Sequence, residues 1–214
     1  MTAALKLMVV AAHPDDETLG FGGVLARYAS EGVQTFLVTA TLGERGRYLD
    51  HRFGSADHPG PAALAGIRER ELRAAASALG IHEVTVLGYE DQGLDRAHEA
   101  GAVARIAAEI RRVRPQVVLT FAPDGAYGHP DHIAISQLTT AAVVAAVDPG
   151  FDAPNDRLGN PHDRAAVAPG EFDERRRHAA AASVDQPLGS SPREDGRRVD
   201  DVLARGAAMD EGRG

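Results

Sequence analysis

The sequence predicts a mostly parallel, three-layer α/β sandwich, and three observations carry that expectation. Four short, nearly continuous apolar runs alternate with four segments of helical period. Each run ends in a polar cluster, which is where open α/β sheets bind ligands, in the crevice beyond the carboxyl ends of their strands. The 214 residues, 43% of them hydrophobic, suffice for one such domain with a buried core plus an extension, and are few for two.

Taken in order, Leu5 to Ala12 (LKLMVVAA) is apolar enough to be a strand covered on both faces, and it stops at His13-Pro14-Asp15-Asp16-Glu17. Thr18 to Ser30 is expected as one helix. Leu19, Val24, Leu25 and Tyr28 are available to pack, and Gly20, Gly22 and Gly23 permit close approach to the sheet. Val33 to Ala40 (VQTFLVTA) is the second strand, and residues 41–60, without a clear period, read as a loop. Pro61 to Leu79 is an Ala-rich helix carrying Ile67, Leu72 and Leu79, with Gly80 placed to end it. Glu83 to Leu87 is the third strand, followed by a loop through Gly88 to Gly93. Ala97 to Val113 fits a helix with Val103, Ile106 and Ile110 on one side and Pro115 just past its end. Gln116 to Phe121 (QVVLTF) is the fourth strand, and the loop Ala122 to His129 leads into a helix from about Pro130 to Val147. Right-handed crossovers would join these strands. The chain shows no internal repeat, heptad seam or long low-complexity tract.

Composition narrows the function. With 23 basic and 31 acidic side chains the net charge is -8, the wrong sign for a protein held mainly by nucleic acid phosphates or an anionic membrane. Cysteine is absent, which excludes disulfides, thiolate zinc sites, iron-sulfur clusters and a cysteine nucleophile, so any metal must be held by His, Asp or Glu. Lys6 is the single lysine, a bias that reflects genome composition and carries no function. The apolar run Leu7 to Ala12 is too short for a signal peptide or a membrane helix, and the expected location is the cytoplasm. Residues 151–214 hold 13 acidic and 10 basic side chains but only ten large apolar ones, too few to offset their own chain entropy. The expected organisation is therefore an α/β domain over 1–150 and a charged, loosely ordered extension over 151–214.

Two clusters carry the chemistry. In AHPDDE (12–17), His13 and Asp16 are three apart across a strand-to-helix turn, a spacing that brings an imidazole nitrogen and a carboxylate oxygen to one small cation, while Asp15 is aimed differently. In GHPDH (128–132), after the fourth strand, His129, Asp131 and His132 are offered at the start of a helix. Two His and one Asp around a metal leave a position open for water, as a hydrolytic zinc centre requires. Either cluster alone reads equally well as a helix cap. Their pairing at corresponding strand ends favours the metal.

These residues resemble the LmbE-like, or PIG-L, zinc-dependent N-acetylglucosaminyl deacetylases. The resemblance rests on AHPDDETLGFGG at 12–23, ATLGERG at 40–46, Arg68 and Glu71, GYEDQGLD at 88–95 and YGHPDH at 127–132, and covers about residues 5–147. It implies a Rossmann-like, LmbE-like sandwich that hydrolyses an N-acyl group on an amino-sugar small molecule, with Zn2+ or another divalent metal such as Fe2+ as cofactor. His13, Asp16 and His132 match the family's zinc ligands, and Asp15 matches the general base that activates water. His129 matches the imidazole that stabilises the oxyanion or protonates the leaving amine, and Asp131 would orient His129. Tyr127 matches a mobile tyrosine that helps polarise the amide carbonyl. Arg68 matches an arginine that binds the polar group beyond the sugar, with a solvated helix face as the alternative. Glu44 and Asp91 are candidates for contacts to sugar hydroxyls, or equally for loop hydrogen bonds. Assembly into a homo-oligomer is left open.

After Val147 the resemblance fades. The family's further aromatic-rich strand has no counterpart, and its Lys-x-x-Ala-x-x-x-His-x-Ser-Gln helix finds only Arg176, Ala179, Ser183, Asp185 and Gln186 in register. His51, His58, His82, His98, His162 and His178 lack a spaced partner and read as surface residues. Two other readings compete: a nucleotide-binding Rossmann-like module resting on Gly20-Phe21-Gly22-Gly23, and a catalytically weakened LmbE-like binding protein resting on the altered tail.

Overall fold

A computed structural model describes residues 4–152, so the extension expected from 151 onward lies almost wholly outside the described residues, as do His162, His178 and the Arg176 to Gln186 segment. Strands β1 (Lys6–Ala11), β2 (Gln34–Thr39), β3 (Glu83–Val86) and β4 (Val117–Leu119) form one parallel sheet in the order β3-β2-β1-β4. In register, Val9 of β1 lies beside Leu37 of β2 on one side and Leu119 of β4 on the other.

Side chains alternate across a strand, and β1 shows why its whole run had to be apolar. Met8, Val10 and Ala12 join Phe36 and Val38 in a core beneath helices α4 (Glu99–Val113) and α6 (Pro130–Val147), the latter preceded by the single turn α5 (Gly125–Gly128). Leu7, Val9 and Ala11 join Leu37, Val84 and Val86 in a second core beneath α2 (Gly22–Ser30) and α3 (Pro61–Leu79). Burying each such side chain contributes roughly 1.5–3 kcal/mol.

The expected elements are present, with local differences. The segment Thr18 to Ser30 is not one helix: a short α1 (Asp16–Leu19) ends where the Asp16 carbonyl takes both the Gly20 and Phe21 amides, at 2.8 and 3.2 Å, and α2 restarts after Phe21. The break leaves Leu19 83% exposed, and Tyr28 is also exposed, so neither packs as expected. It turns the Phe21 ring edge-on to Phe121, at 5.4 Å between centroids. Helix α3 has the expected bounds, and Gly80 ends it in the left-handed conformation with φ 71°. Helix α4 starts later than Ala97, after a 3-10 turn at Leu94–Arg96, because the His98 side chain caps it by accepting the Gly101 amide at 3.0 Å. His98 is thus exposed but not idle. His58, half-buried, accepts the Gly60 amide and faces the Gly46 carbonyl, pinning the 41–60 loop.

The strand order fixes where a ligand can enter. The chain moves outward from β1 to β2 and β3 and then crosses to the far side of β1 to form β4, with α2 and α3 on one face and α4 on the other. The direction reverses between β1 and β4, which opens a crevice at their carboxyl ends. Helix α6 leaves that crevice and runs back along the sheet. Among the described residues no helix is long and apolar enough to cross a membrane.

The far end of α6 is closed by one side chain. Arg111 of α4 donates to the carbonyls of Ala145, Ala146, Asp148 and Phe151 at 2.6–3.1 Å, satisfying acceptors that a helix terminus leaves open. Arg111→Met keeps the stem but removes every donor, and is expected to cost about 1–3 kcal/mol. Urea unfolding would read this as a lower midpoint at unchanged slope.

Candidate functional site

The crevice between β1 and β4 gathers both His-Pro-Asp clusters. Asp16, buried at the start of α1, accepts the Ala12 and His13 amides on Oδ2 at 3.0 and 2.8 Å, which folds the β1 loop back on itself. Burial pushes its carboxyl up to about 6 against the pull of those donors and of His13. His13 Nδ1 then lies 3.8 Å from Asp16 Oδ2 and 3.2 Å from His132 Nε2, and His132 Nε2 lies 3.4 Å from Asp16 Oδ1. Donors about 2.0–2.1 Å from a tetrahedral ion are separated by about 3.3 Å, so this spacing fits a small divalent cation. Ligand atoms of His13, His129 and His132, and of His13, Asp91 and Asp131, also lie within 4.8 Å of one another. The His132 ring is fixed by stacking on Phe121, 4.0 Å between centroids and 10° from parallel.

The opposite edge of His13 explains how its ring is aimed. Nε2 faces Asp131 Oδ2 at 3.1 Å and Asp91 Oδ1 at 3.2 Å. A proton on Nε2 shared with these carboxylates leaves Nδ1 as the coordinating end, the arrangement that orients and enriches a metal-binding imidazole. Burial alone would lower the His13 pKa, but Asp131, Asp91 and Asp16 outweigh it and raise it to about 9. His132 is pushed the other way, to about 4, by burial and then by the charge of His13.

Asp131 corrects the expected pairing. Its carboxylate orients His13, not His129, and it also accepts the Gln92 amide at 2.7 Å and the Leu94 amide at 3.1 Å. His129 instead caps α6: Nδ1 accepts the Asp131 amide at 3.2 Å, so the neutral ring carries its proton on Nε2. Burial and then His13 lower its pKa, which keeps it neutral. Tyr127 is 75% exposed at the rim, edge-on to His132 and His129 at 5.3 and 5.9 Å. Its hydroxyl stays protonated, its pKa raised by partial burial and then by Asp16 and Asp15.

Asp15 occupies the cap position of α1 without capping it: its side chain accepts no helix amide. The carboxylate is half-exposed and meets Arg68 Nη2 at 3.1 Å. Arg68 is not on a solvated helix face. Its guanidinium lies against the β2 loop, with Nη1 on the Gly43 carbonyl at 3.3 Å. Gly43 has φ 61°, and a Cβ there would come within 1.9 Å of Arg68 Nη1. Glu44 and Asp91 serve the loops rather than open space. Glu44 accepts the Asp91 amide, and Asp91, buried, accepts the Arg45 amide while facing His13. Asp91 thus makes the loop hydrogen bond that was the alternative to a sugar contact. Sequence reasoning missed Glu17, which is 2% exposed beneath Asp15. Its only sequence signal was its place in the DDE run. Gly20, Gly22 and Gly23 fall past the first helical turn, so they form no phosphate loop.

Residues 8–143 match the PIG-L family, described as GlcNAc-PI de-N-acetylase. The chain belongs to this family. A curated relative, the 1D-myo-inositol 2-acetamido-2-deoxy-alpha-D-glucopyranoside deacetylase of Streptomyces avermitilis, is 39% identical over 178 residues, covering 76% of this chain and 60% of that protein. The chain spans less than two thirds of the length of the curated relatives it matches. The N,N'-diacetylchitobiose deacetylase of Pyrococcus horikoshii is similar in structure, with TM-score 0.59 and 28% identity over 69% of this chain and 52% of that one. GalB, the 4-carboxy-2-hydroxymuconate hydratase of Pseudomonas putida KT2440, is similar as well, with TM-score 0.62 and 27% identity over 73% of this chain and 63% of that one.

Gly43→Ala is expected to displace Arg68 and separate it from Asp15, because the added methyl overlaps the guanidinium and the backbone favours glycine. A crystal structure of the variant checks this; an unmoved Arg68 would refute the coupling.

Proposed function

We propose that the chain is a metal-dependent amide hydrolase that removes the N-acetyl group from a small molecule containing N-acetylglucosamine. The observation that carries this reading is the convergence of two imidazole nitrogens and one carboxylate at tetrahedral spacing, with the Asp15 carboxylate beside them and in no other hydrogen-bonding role except its pair with Arg68. Family membership and the names of the deacetylase relatives support it.

His13, Asp16 and His132 would hold the ion, zinc in this reading and Fe2+ as the second candidate. A divalent ion there supplies Lewis acidity, making water more acidic and polarising the amide carbonyl. Asp15 takes the proton from the attacking water, and Arg68 Nη2, 3.1 Å from its Oδ2, holds the carboxylate in place. His129, neutral with its proton on Nε2, donates to the developing oxyanion, and the Tyr127 hydroxyl reaches the same charge from the rim. Asp15 or His129 then protonates the departing amine. Arg68 of α3, held between Asp15 and Gly43, is the cation available to a polar group beyond the sugar, and Glu44 follows Gly43 on the loop after β2.

The Asp15→Ala variant is expected to retain zinc but lose about 10²–10⁴ in kcat, the range of general base catalysis. His13→Ala is expected to lose both metal and turnover. Full activity in Asp15→Ala would eliminate the assigned base. Protein purified without added zinc, analysed for metal and then assayed for free amine release from a panel of N-acetylglucosamine conjugates, tests the whole reading. Protein that holds no metal and gains no activity on adding zinc would sink it.

A further inference from the structure

We propose that Glu17 is a positioning residue: its buried carboxylate holds the Asp15 backbone in the conformation from which Asp15 reaches the reacting water. The inference rests on the assignment of Asp15 as the base and adds the device that aims it.

The backbone shows the need for such a device. Among the described residues, five other than glycine have positive φ. Leu49, Gln92, Arg114 and Ala126 have φ between 50° and 66°, and Arg114, with ψ 56°, sits in the left-handed helical well. Asp15, at φ 107° and ψ -30°, lies well outside it. A residue with a Cβ stays there only if its surroundings over-determine it.

Those surroundings are specific. The Asp15 amide donates to Glu17 Oε2 at 2.9 Å, and the Asp15 carbonyl accepts the Thr18 and Leu19 amides at 3.0 and 2.8 Å. Both polar groups of the residue are thus fixed, and the side chain is left to point at Arg68. Glu17 is 2% exposed, and its other oxygen accepts the Thr18 hydroxyl at 2.7 Å. A carboxylate taken so far from water, with an amide and a hydroxyl as these two donors, is a costly choice for packing alone. Its placement makes sense as an acceptor beneath the Asp15 amide. Without that acceptor the peptide joining Pro14 to Asp15 is free to rotate, φ relaxes to a negative value, and the Asp15 carboxylate swings off its aim.

Two substitutions in the full chain separate this role from bulk stability. Glu17→Gln keeps an acceptor, whereas Glu17→Met keeps the volume and removes it. Glu17→Gln is expected to hold kcat within about threefold, and Glu17→Met to lower it by about 30-fold or more, with KM and bound zinc unchanged. In an Asp15→Ala background, Glu17→Met is expected to lower the residual kcat by less than about twofold, because the two residues act as one unit. Exchange of the Asp15 amide proton is expected to stay slow in the wild type and Glu17→Gln and to quicken by about tenfold or more in Glu17→Met. Wild-type kcat in Glu17→Met alongside an inactive Asp15→Ala overturns the inference and leaves the base standing. Equal losses in the Gln and Met variants, or fully additive losses in the double variant, overturn it too. An active Asp15→Ala removes the base and this role with it. Should Glu17→Met not fold, Thr18→Val at its exposed position loosens Glu17, with kcat expected to fall by about three- to tenfold at constant KM; an unchanged kcat then counts against the proposal.

Discussion

Asp131 has no exposed surface, and it is the carboxylate on which the arrangement of the crevice depends. It begins α6, yet its oxygens are taken by the Gln92 and Leu94 amides from the loop after β3 and by the ring of His13 from the loop after β1. A buried carboxylate must find donors, and these come from two other strands of the sheet. Satisfying Asp131 therefore docks the β3 loop, sets the tilt of the His13 ring and seats the first turn of α6 in one step. Removing it would leave His13 with Asp91 as its remaining carboxylate partner on Nε2 and the Gln92 and Leu94 amides without this acceptor. A residue that never touches a substrate in this arrangement is thus a condition for the geometry of those that do.

The sheet was legible because β1 and β2 are buried on both faces, which forces an unbroken apolar run such as Leu7 to Ala11. Helix α3 was legible to the residue, with proline opening it and Gly80 closing it in the left-handed conformation. That the two His-Pro-Asp clusters come together was legible because local spacing and strand-end placement are sequence properties. What the sequence left hidden depends on groups distant along the chain. Whether Asp131 orients His129 or His13 is decided by how α6 is seated against β1. Whether Arg68 faces water or Asp15 is decided by the approach of Gly43. The break after Leu19 was hidden for a nearer reason: a glycine-rich helical pattern cannot tell that one carbonyl, that of Asp16, will take two amides.

The fold itself leaves the chemistry open. A deacetylase and a hydratase are both similar to this chain in structure, so the activity must be argued from side chains and not from the sheet. The features that do so are a carboxylate held off the helix it precedes, a neutral imidazole whose proton is fixed by a backbone amide, and a second imidazole aimed by two carboxylates. Each is an orientation set by hydrogen bonds before any ligand arrives, the form in which electrostatic stabilisation acts without reorganisation cost.

The crevice also lies where the two ends of the described domain meet. His13 and His132 are 119 residues apart in sequence, and the β1–β4 pairing that brings them together spans almost the whole distance. Local pieces such as α3 or the β1–β2 pair can form early, but closing so long a loop is entropically late. The site is therefore the seam of the fold: a chain that has completed every other pairing still has two half-sites. Assembly of the crevice and completion of the sheet are one event.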